Sequence, residues 1–320
     1  MRHCGLLAGS AALVLAAVLS GCTTTTTTTV PGNGAVGAAE PTVSPGQING
    51  PRAAQTGAPN VGPSCLVAAA GDIAGADDWR RGAARTARLI IARKPSRVLA
   101  LGDLAYDRGS VNDFRRYYRP TWGAFKSKTL VIPGNHDYQT SHAAGLAGYF
   151  GSSALRNRSV DLCHGWRVVL LNEYSGDDHV DSGAVRRAAR FLGADARRHP
   201  GKKLIAAWHV PRYSSGDEHG DDSTLAPLWT AALEARVRIV LNAHDHHYER
   251  FAPIGPGHTV QLISGLGGHH MRGLDKDLAP GSTVRFSRTP AVLFLSLGAH
   301  GYSWTERTVT GRVVDQGAQT

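Results

Sequence analysis

Seven residues able to ligate a metal stand in order along the 320-residue chain: Asp72, Asp103, Tyr106, Asn135, His209, His244 and His246. Carboxylate, amide oxygen and imidazole, with no thiolate among them, suit Zn, Fe, Mn or Mg rather than Cu(I) or an iron–sulfur cluster. Seven donors are too many for one ion and fit two ions that share a carboxylate. Such a pair, about 3.5–4 Å apart, can clamp a phosphoryl group and acidify a bound water. His244 and His246 sit two residues apart, so each can reach a different ion across a tight turn. The chain holds 15 His against 4 Cys and 2 Met, but the order and placement of a few histidines say more than their number.

The elements that must position these residues are short apolar runs. CLVAAAGD (65–72), RVLALGD (97–103), TLVIPGNHD (129–137), WRVVLLNEY (166–174), KLIAAWHV (203–210) and VRIVLNAHDHH (237–247) each close on polar residues. Runs of this length flanked by Gly, Pro and Asn read as buried strands. Helical patterns lie between them at Trp79–Lys94, Val111–Tyr118, Ser182–His199 and Thr224–Arg236. Alternation of strand and helix predicts α/β layering around a largely parallel sheet. The last 60 or so residues carry strand patterns without helices (TVQLISGLGG, AVLFLSLGAHGYSW, RTVTGRVVD), which predicts antiparallel pairing at the end. Asp72, Asp103, Asn135, His136, His209, His244 and His246 all fall at the carboxyl ends of predicted strands. Ligands bind at that rim in open α/β sheets.

The ordered set GDI, GDLAY, GNHD, a lone His followed by Pro, and HDH resembles the metallophosphoesterase (calcineurin-like phosphoesterase) superfamily. The Tyr of GDLAY and the WHVPRY…GDEHG segment narrow the resemblance to its purple acid phosphatase-like branch, over roughly residues 64–250. The resemblance implies a four-layer α/β/β/α sandwich, two mixed β-sheets flanked by helices, with a dimetal site that hydrolyses phosphoric esters through metal-bound hydroxide. It assigns Asp72, Tyr106 and His246 to an Fe(III) site. It assigns Asn135, His209 and His244 to a second ion (Fe, Zn or Mn), and Asp103 to the bridge. His136 matches the histidine that contacts phosphate, and His219, in GDEHG, the one that protonates the leaving group. The expected activity is that of a phosphomonoesterase of the acid phosphatase type, acting on small phosphate esters. The alternatives are a phosphodiesterase or nucleotidase on the same site, or a protein that binds metal or phosphate without turnover. Ala243 departs from the family pattern, which has Gly before the HxH pair.

Plainer readings stand beside these. Tyr106 would also serve as a core tyrosine, and His219 as a solvated residue in an acidic loop (Asp217, Glu218, Asp221, Asp222) whose spacing matches no standard calcium loop. His269 and His270, in SGLGGHHMRG, either line the pocket or belong to a surface loop. Tyr213 is a candidate to approach substrate, and His247 reads as a packing neighbour. His142, His164, His179, His199, His258 and His300 have no motif support.

Residues 1–21 read as a signal peptide: Arg2 precedes an apolar stretch, Leu6 to Leu19, too short to span a membrane comfortably. Leu19-Ser20-Gly21-Cys22 looks like a bacterial lipobox, which implies lipidation of Cys22. Ordinary secretion is the alternative, and either places the mature protein outside the cytoplasm. Residues 22–63, with seven threonines (Thr23 to Thr29) and a Gly/Pro/Ala/Asn stretch, cannot bury enough surface to offset their ordering entropy, so they read as a tether to the membrane. The working domain is 64–320. Cys65 and Cys163 then remain, and two cysteines in an oxidising compartment suggest a disulfide, with two separate thiols as the alternative. The formal charge of +10 is spread over helix faces such as Arg186, Arg187 and Arg190. No basic run interleaved with aromatics suggests a nucleic-acid partner.

Overall fold

The computed structural model describes residues 61–78 and 81–320; the predicted signal peptide, Cys22 and nearly all of the tether lie outside the described residues. The strands are β1 (Ser64–Ala70), β2 (Arg97–Leu101), β3 (Thr129–Ile132), β4 (Arg158–Asp161), β5 (Trp166–Leu170), β6 (Lys203–Ala207), β7 (Ile239–Asn242), β8 (Tyr248–Phe251), β9 (Val260–Ser264), β10 (Ser282–Phe286), β11 (Ala291–Gly298), β12 (Tyr302–Thr308) and β13 (Val313–Gln319). The α-helices are α1 (Gly82–Arg93), α2 (Val111–Asp113), α3 (Asn135–Tyr138), α4 (Ala144–Phe150), α5 (Ser182–Arg198) and α6 (Ala226–Glu234).

The strands form two mixed sheets. One runs β13-β12-β11-β1-β2-β3, the other β10-β8-β9-β7-β6-β5-β4. Side chains alternate along each strand, so both faces of the central strands must find cover. Val67 and Ala69 of β1, Leu99 and Leu101 of β2, Trp166 and Val168 of β5, and Ile205 and Ala207 of β6 meet in the core between the sheets. Ala68, Ala70, Val98 and Ala100 face the other way, into the layer holding Ala83, Ala87 and Ile90 of α1; Val169, Leu204 and Ala206 do the same towards Val185, Ala188 and Leu192 of α5. Burial on both faces is why these strands read as unbroken apolar runs. The result is the four-layer α/β/β/α sandwich.

Helix α5 shows how closely local signals set an element. Asp181 caps it by accepting from the Ala184 amide at 2.6 Å. Ala184, Val185, Ala188 and Leu192 form its buried stripe, and Arg197 and Arg198 stand in the last turn, where positive charge complements the carbonyl ends. Arg186, Arg187 and Arg190 are exposed, a solvated face.

Two predicted elements differ, and three short strands appear besides. Residues 111–118 are not one α-helix: α2 passes into a π-helical turn, Phe114–Tyr118, in which the Arg119 amide donates to the Phe114 carbonyl and Phe114 and Tyr118 are both buried in the core. Strand β9, expected to pair only antiparallel, lies parallel to β7 and antiparallel to β8. Antiparallel pairing holds for β11, β12 and β13. The short strands β4, β8 and β10 carry no strong apolar run; β4 and β10 are sheet edges with half-exposed residues.

Cys65 and Cys163 are joined by a disulfide that ties β1 of one sheet to the β4–β5 turn of the other across 98 residues. Closing so long a loop restricts the unfolded chain strongly. Replacing both cysteines with serine should lower unfolding free energy by about 2–4 kcal/mol, read by denaturant titration under oxidising conditions.

Glu306 of β12 is fully buried. Burial first, and Asp315 second, push its carboxyl well above the usual range. A raised acid in the folded state binds a proton the unfolded state releases, so stability falls as pH rises through the ordinary glutamate range towards the folded value. Glu306→Gln should therefore stabilise the protein more at pH 8 than at pH 5, by on the order of 1–3 kcal/mol at the higher pH, measured as the pH dependence of Tm.

Candidate metal centre

Parallel register delivers the predicted ligands to one rim. In β1 and β2, Ala70 pairs with Ala100, so Gly71-Asp72 and Gly102-Asp103 leave adjacent strand ends side by side. The β3 end supplies Asn135 and His136, β6 supplies His209, and β7 supplies His244 and His246. A backbone hydrogen bond joins the two sheets here, Gly71 donating to Ser264 at 2.9 Å, and within the second sheet Ala243 donates to His209 at 3.0 Å.

The backbone at this rim is strained. Asp72, Asp103, His244 and His246 have φ of 57°, 51°, 75° and 47°, left-handed values that non-glycine residues seldom adopt and that cluster at functional sites. Two glycines make room. A Cβ on Gly102, itself at φ 90°, would collide with the His209 ring, and one on Gly134 with the Asp103 carboxylate. Ala243 is accommodated because its methyl packs against Gly71, where a second Cβ would clash.

The side chains converge on two clusters that share one atom. The Tyr106 hydroxyl lies 3.2 Å from Asp72 Oδ1, 3.0 Å from Asp103 Oδ2 and 3.0 Å from His246 Nε2. On the other side, Asp103 Oδ2 is 3.4 Å from His209 Nε2, and His244 Nδ1 is 3.1 Å from Asn135 Oδ1. Asp103, His209 and His244 offer ligand atoms within 4.8 Å of one another. Asp103 Oδ2 therefore stands where a bridging oxygen would, while Asp103 Oδ1 accepts from the His136 amide at 2.9 Å.

These donors fit cations. One hydroxyl proton on Tyr106 can serve only one of its three neighbours, and Asp72 Oδ2 and His209 Nε2 have no hydrogen-bond partner among the described residues. His209 Nδ1 faces the Leu101 carbonyl at 2.7 Å and His246 Nδ1 the His270 carbonyl at 2.6 Å, so each ring presents Nε2 to the cluster, the arrangement that orients metal-ligating imidazoles. Burial raises Asp72 and Tyr106 well above their ordinary values. Burial opposes a proton on His209, but Asp103 outweighs it and lifts that ring to about 10. Buried carboxylates and imidazoles drawn together in this way could hold a metal ion.

The remaining candidates have mixed fates. His136 holds the Asp107 carbonyl with Nδ1 at 2.6 Å. His219 is exposed and stacks on His244 at 4.1 Å. His269 is buried and lies flat on Tyr106, ring centroids 3.7 Å apart, with His270 beside it. Tyr213, a candidate to approach substrate, is half-buried and packs its ring against Trp229 and Phe251. His247 is buried on Glu249 and the Asp245 carbonyl. Asp221 and Asp222 accept backbone amides of Ser214 and Thr224, roles that need no calcium.

Two supporting acids escaped the sequence reading. Glu173 accepts from the His209 and Val210 amides at 2.8 and 2.9 Å, fixing the turn that carries His209. Asp137 accepts from Gly134 at 3.0 Å and from Leu104 at 3.4 Å, and burial lifts it to about 7. The signal available was a charged residue closing an apolar run, in LNEY and in GNHD.

A family model, calcineurin-like phosphoesterase, matches residues 66–248, which contain all seven predicted ligands. The chain belongs to the calcineurin-like phosphoesterase family. It is 27% identical to purple acid phosphatase 21 of Arabidopsis thaliana over 214 residues, 58% of this chain and 45% of that protein, so it spans about half the length of that relative. Among solved structures it is similar to a purple acid phosphatase from yellow lupin (Lupinus luteus) seeds, with TM-score 0.64, 17% identity, and 80% and 53% of the two chains covered. It is also similar to GAP50, the anchor in the inner membrane complex of Plasmodium, with TM-score 0.62, 15% identity and 79% and 87% coverage. A dimetal phosphatase from Danio rerio gives TM-score 0.53, 12% identity and 81% and 99% coverage. These structural likenesses establish the fold.

Cations bound at the cluster should raise the melting temperature, and a chelator should lower it, since binding to the folded state alone contributes about 4 kcal/mol at a thousandfold excess over Kd. Asp103→Asn should abolish most of that difference, read by calorimetric melting with and without added metal.

Proposed function

We propose that this protein is a dimetal phosphoesterase, a phosphomonoesterase of the purple acid phosphatase type, tethered outside the cytoplasm through a lipid on Cys22. The observation that carries the reading is the single oxygen, Asp103 Oδ2, shared by two clusters of candidate ligands in which Asp72 Oδ2 and His209 Nε2 have no hydrogen-bond partner among the described residues. Asp72, Tyr106 and His246 would hold one ion, Asn135, His209 and His244 the other. Bound there, two cations polarise a phosphoryl group and activate water.

The chain's own residues complete the chemistry. His136, with Nδ1 occupied by a carbonyl, keeps Nε2 for a phosphoryl oxygen. His219, exposed at the rim and stacked on a ligand histidine, is placed to deliver a proton to a departing alkoxide. Tyr106 is the donor that favours Fe(III) over a divalent ion at its site. The disulfide supports an oxidising compartment, and among the described residues no helix is long and apolar enough to cross a membrane.

Metal analysis of the purified protein, with turnover of an aryl phosphate and a bis-aryl phosphate compared, tests the reading. We expect two equivalents of metal, faster turnover of the monoester, and loss of at least about 10³-fold in kcat for Asp103→Asn. Faster turnover of the diester would make the protein a phosphodiesterase, and stable metal or phosphate binding without turnover a binding protein. A visible charge-transfer band absent from Tyr106→Phe would place iron at the tyrosine; a colourless, fully active preparation would exclude it.

A further inference from the structure

We propose that Arg272 selects the dianionic phosphoryl group of a monoester, and so sets the preference of the site for monoesters over diesters. This rests on the phosphoesterase reading above. Arg272 lies outside the ordered motifs, in the stretch that follows β9.

Its backbone is held on several sides. The Arg272 amide reaches the His246 carbonyl at 3.5 Å, and the Arg272 carbonyl accepts from the Ser287 hydroxyl. Gly273 packs against the Asp217 carboxylate, which a side chain there would displace. Leu274 then bridges to Gly216, and the Asp275 amide donates to Ser215 at 2.8 Å. The segment after β9 is thus zipped to the loop after β6, the loop that carries His219.

The guanidinium sits where these two segments meet. One terminal nitrogen contacts His219 Nε2, and Nε lies 2.7 Å from Glu218 Oε2, with the arginine side chain only 14% exposed. His219 in turn stacks on His244, so the guanidinium is one ring away from the Asn135/His209/His244 cluster, while its backbone borders His246. Its charge is felt on both sides of the centre, by Asp72 and Tyr106 as well as by His244.

A guanidinium stays charged at any relevant pH. Placed beside a centre built for two cations it is repelled, and Glu218, half exposed, offsets only part of that. An anion between guanidinium and centre reverses the sign of the interaction. A monoester phosphoryl carries a second negative charge and one more non-bridging oxygen than a diester, and the planar donor fork of arginine matches such oxygens. A diester would present an esterified oxygen and its substituent to the same guanidinium.

The test uses the full-length metal-loaded protein with Arg272→Ala and Arg272→Lys, checked for unchanged metal content and melting temperature. Inorganic phosphate binding is followed by calorimetry, alongside kcat/KM for an aryl phosphate and a bis-aryl phosphate. A charged hydrogen-bond pair is worth roughly a 10- to 150-fold effect. Arg272→Ala should lose that much in phosphate affinity and in monoester kcat/KM, chiefly through KM, with the diester falling by no more than about threefold. Arg272→Lys should recover part of the loss, because it keeps the charge without the fork. Equal losses on both esters, or unchanged phosphate affinity, would overturn the proposal. A wild-type protein that turns over neither ester defeats the phosphoesterase reading, and the phosphate-binding comparison still decides the role of Arg272.

Discussion

The architecture depends on one electrostatic problem at the rim of the sheets. Two carboxylates, a tyrosine hydroxyl and the Nε2 atoms of His209 and His246 are drawn together out of water, with Asp103 Oδ2 between them. Buried lone pairs and anions repel unless positive charge is shared among them. The surrounding structure must therefore hold the arrangement against both repulsion and desolvation. It does so with backbone amides: His136 to Asp103, His209 and Val210 to Glu173, Gly134 and Leu104 to Asp137.

The same demand explains the left-handed backbone at four candidate ligand residues. Strands that ran straight on would carry their side chains alternately to the two faces and away from the rim. A turn within two residues of the strand end brings them over it, at a conformational cost of order 1–3 kcal/mol per residue. Rigid sheets on both sides of a shared core, joined by the Cys65–Cys163 disulfide, are able to sustain that cost. Glycine appears at 102 and 134 because a side chain there would take the space of a ligand.

Beyond the metal ligands, the pocket wall is built by two connections distant in sequence. The loops after β6 and β9 zip together through Gly216, Leu274, Ser215 and Asp275, and His219, Glu218, Arg272 and His269 all stand on them. The family model reaches residue 248, short of the β9 segment, which still orients a candidate ligand through the His270 carbonyl on His246 Nδ1.

The convergence of the candidate ligands was legible in the chain because they follow a local pattern at strand ends: short apolar runs, a glycine, then a carboxylate or imidazole. The central strands and α5 were legible for the same reason, since both-face burial and a capped amphipathic stripe leave clear patterns. The weaker strands β4, β8 and β10 and the parallel placement of β9 were not, because pairing between segments distant in sequence leaves no local mark. Nor did composition help: 15 histidines and a charge of +10 do not say which rings meet. Only the tertiary structure put His269 flat on Tyr106, packed Tyr213 against Trp229, and set Arg272 against His219. Those outcomes rest on contacts between segments separated by tens of residues or more, and packing across such distances is decided by the whole fold.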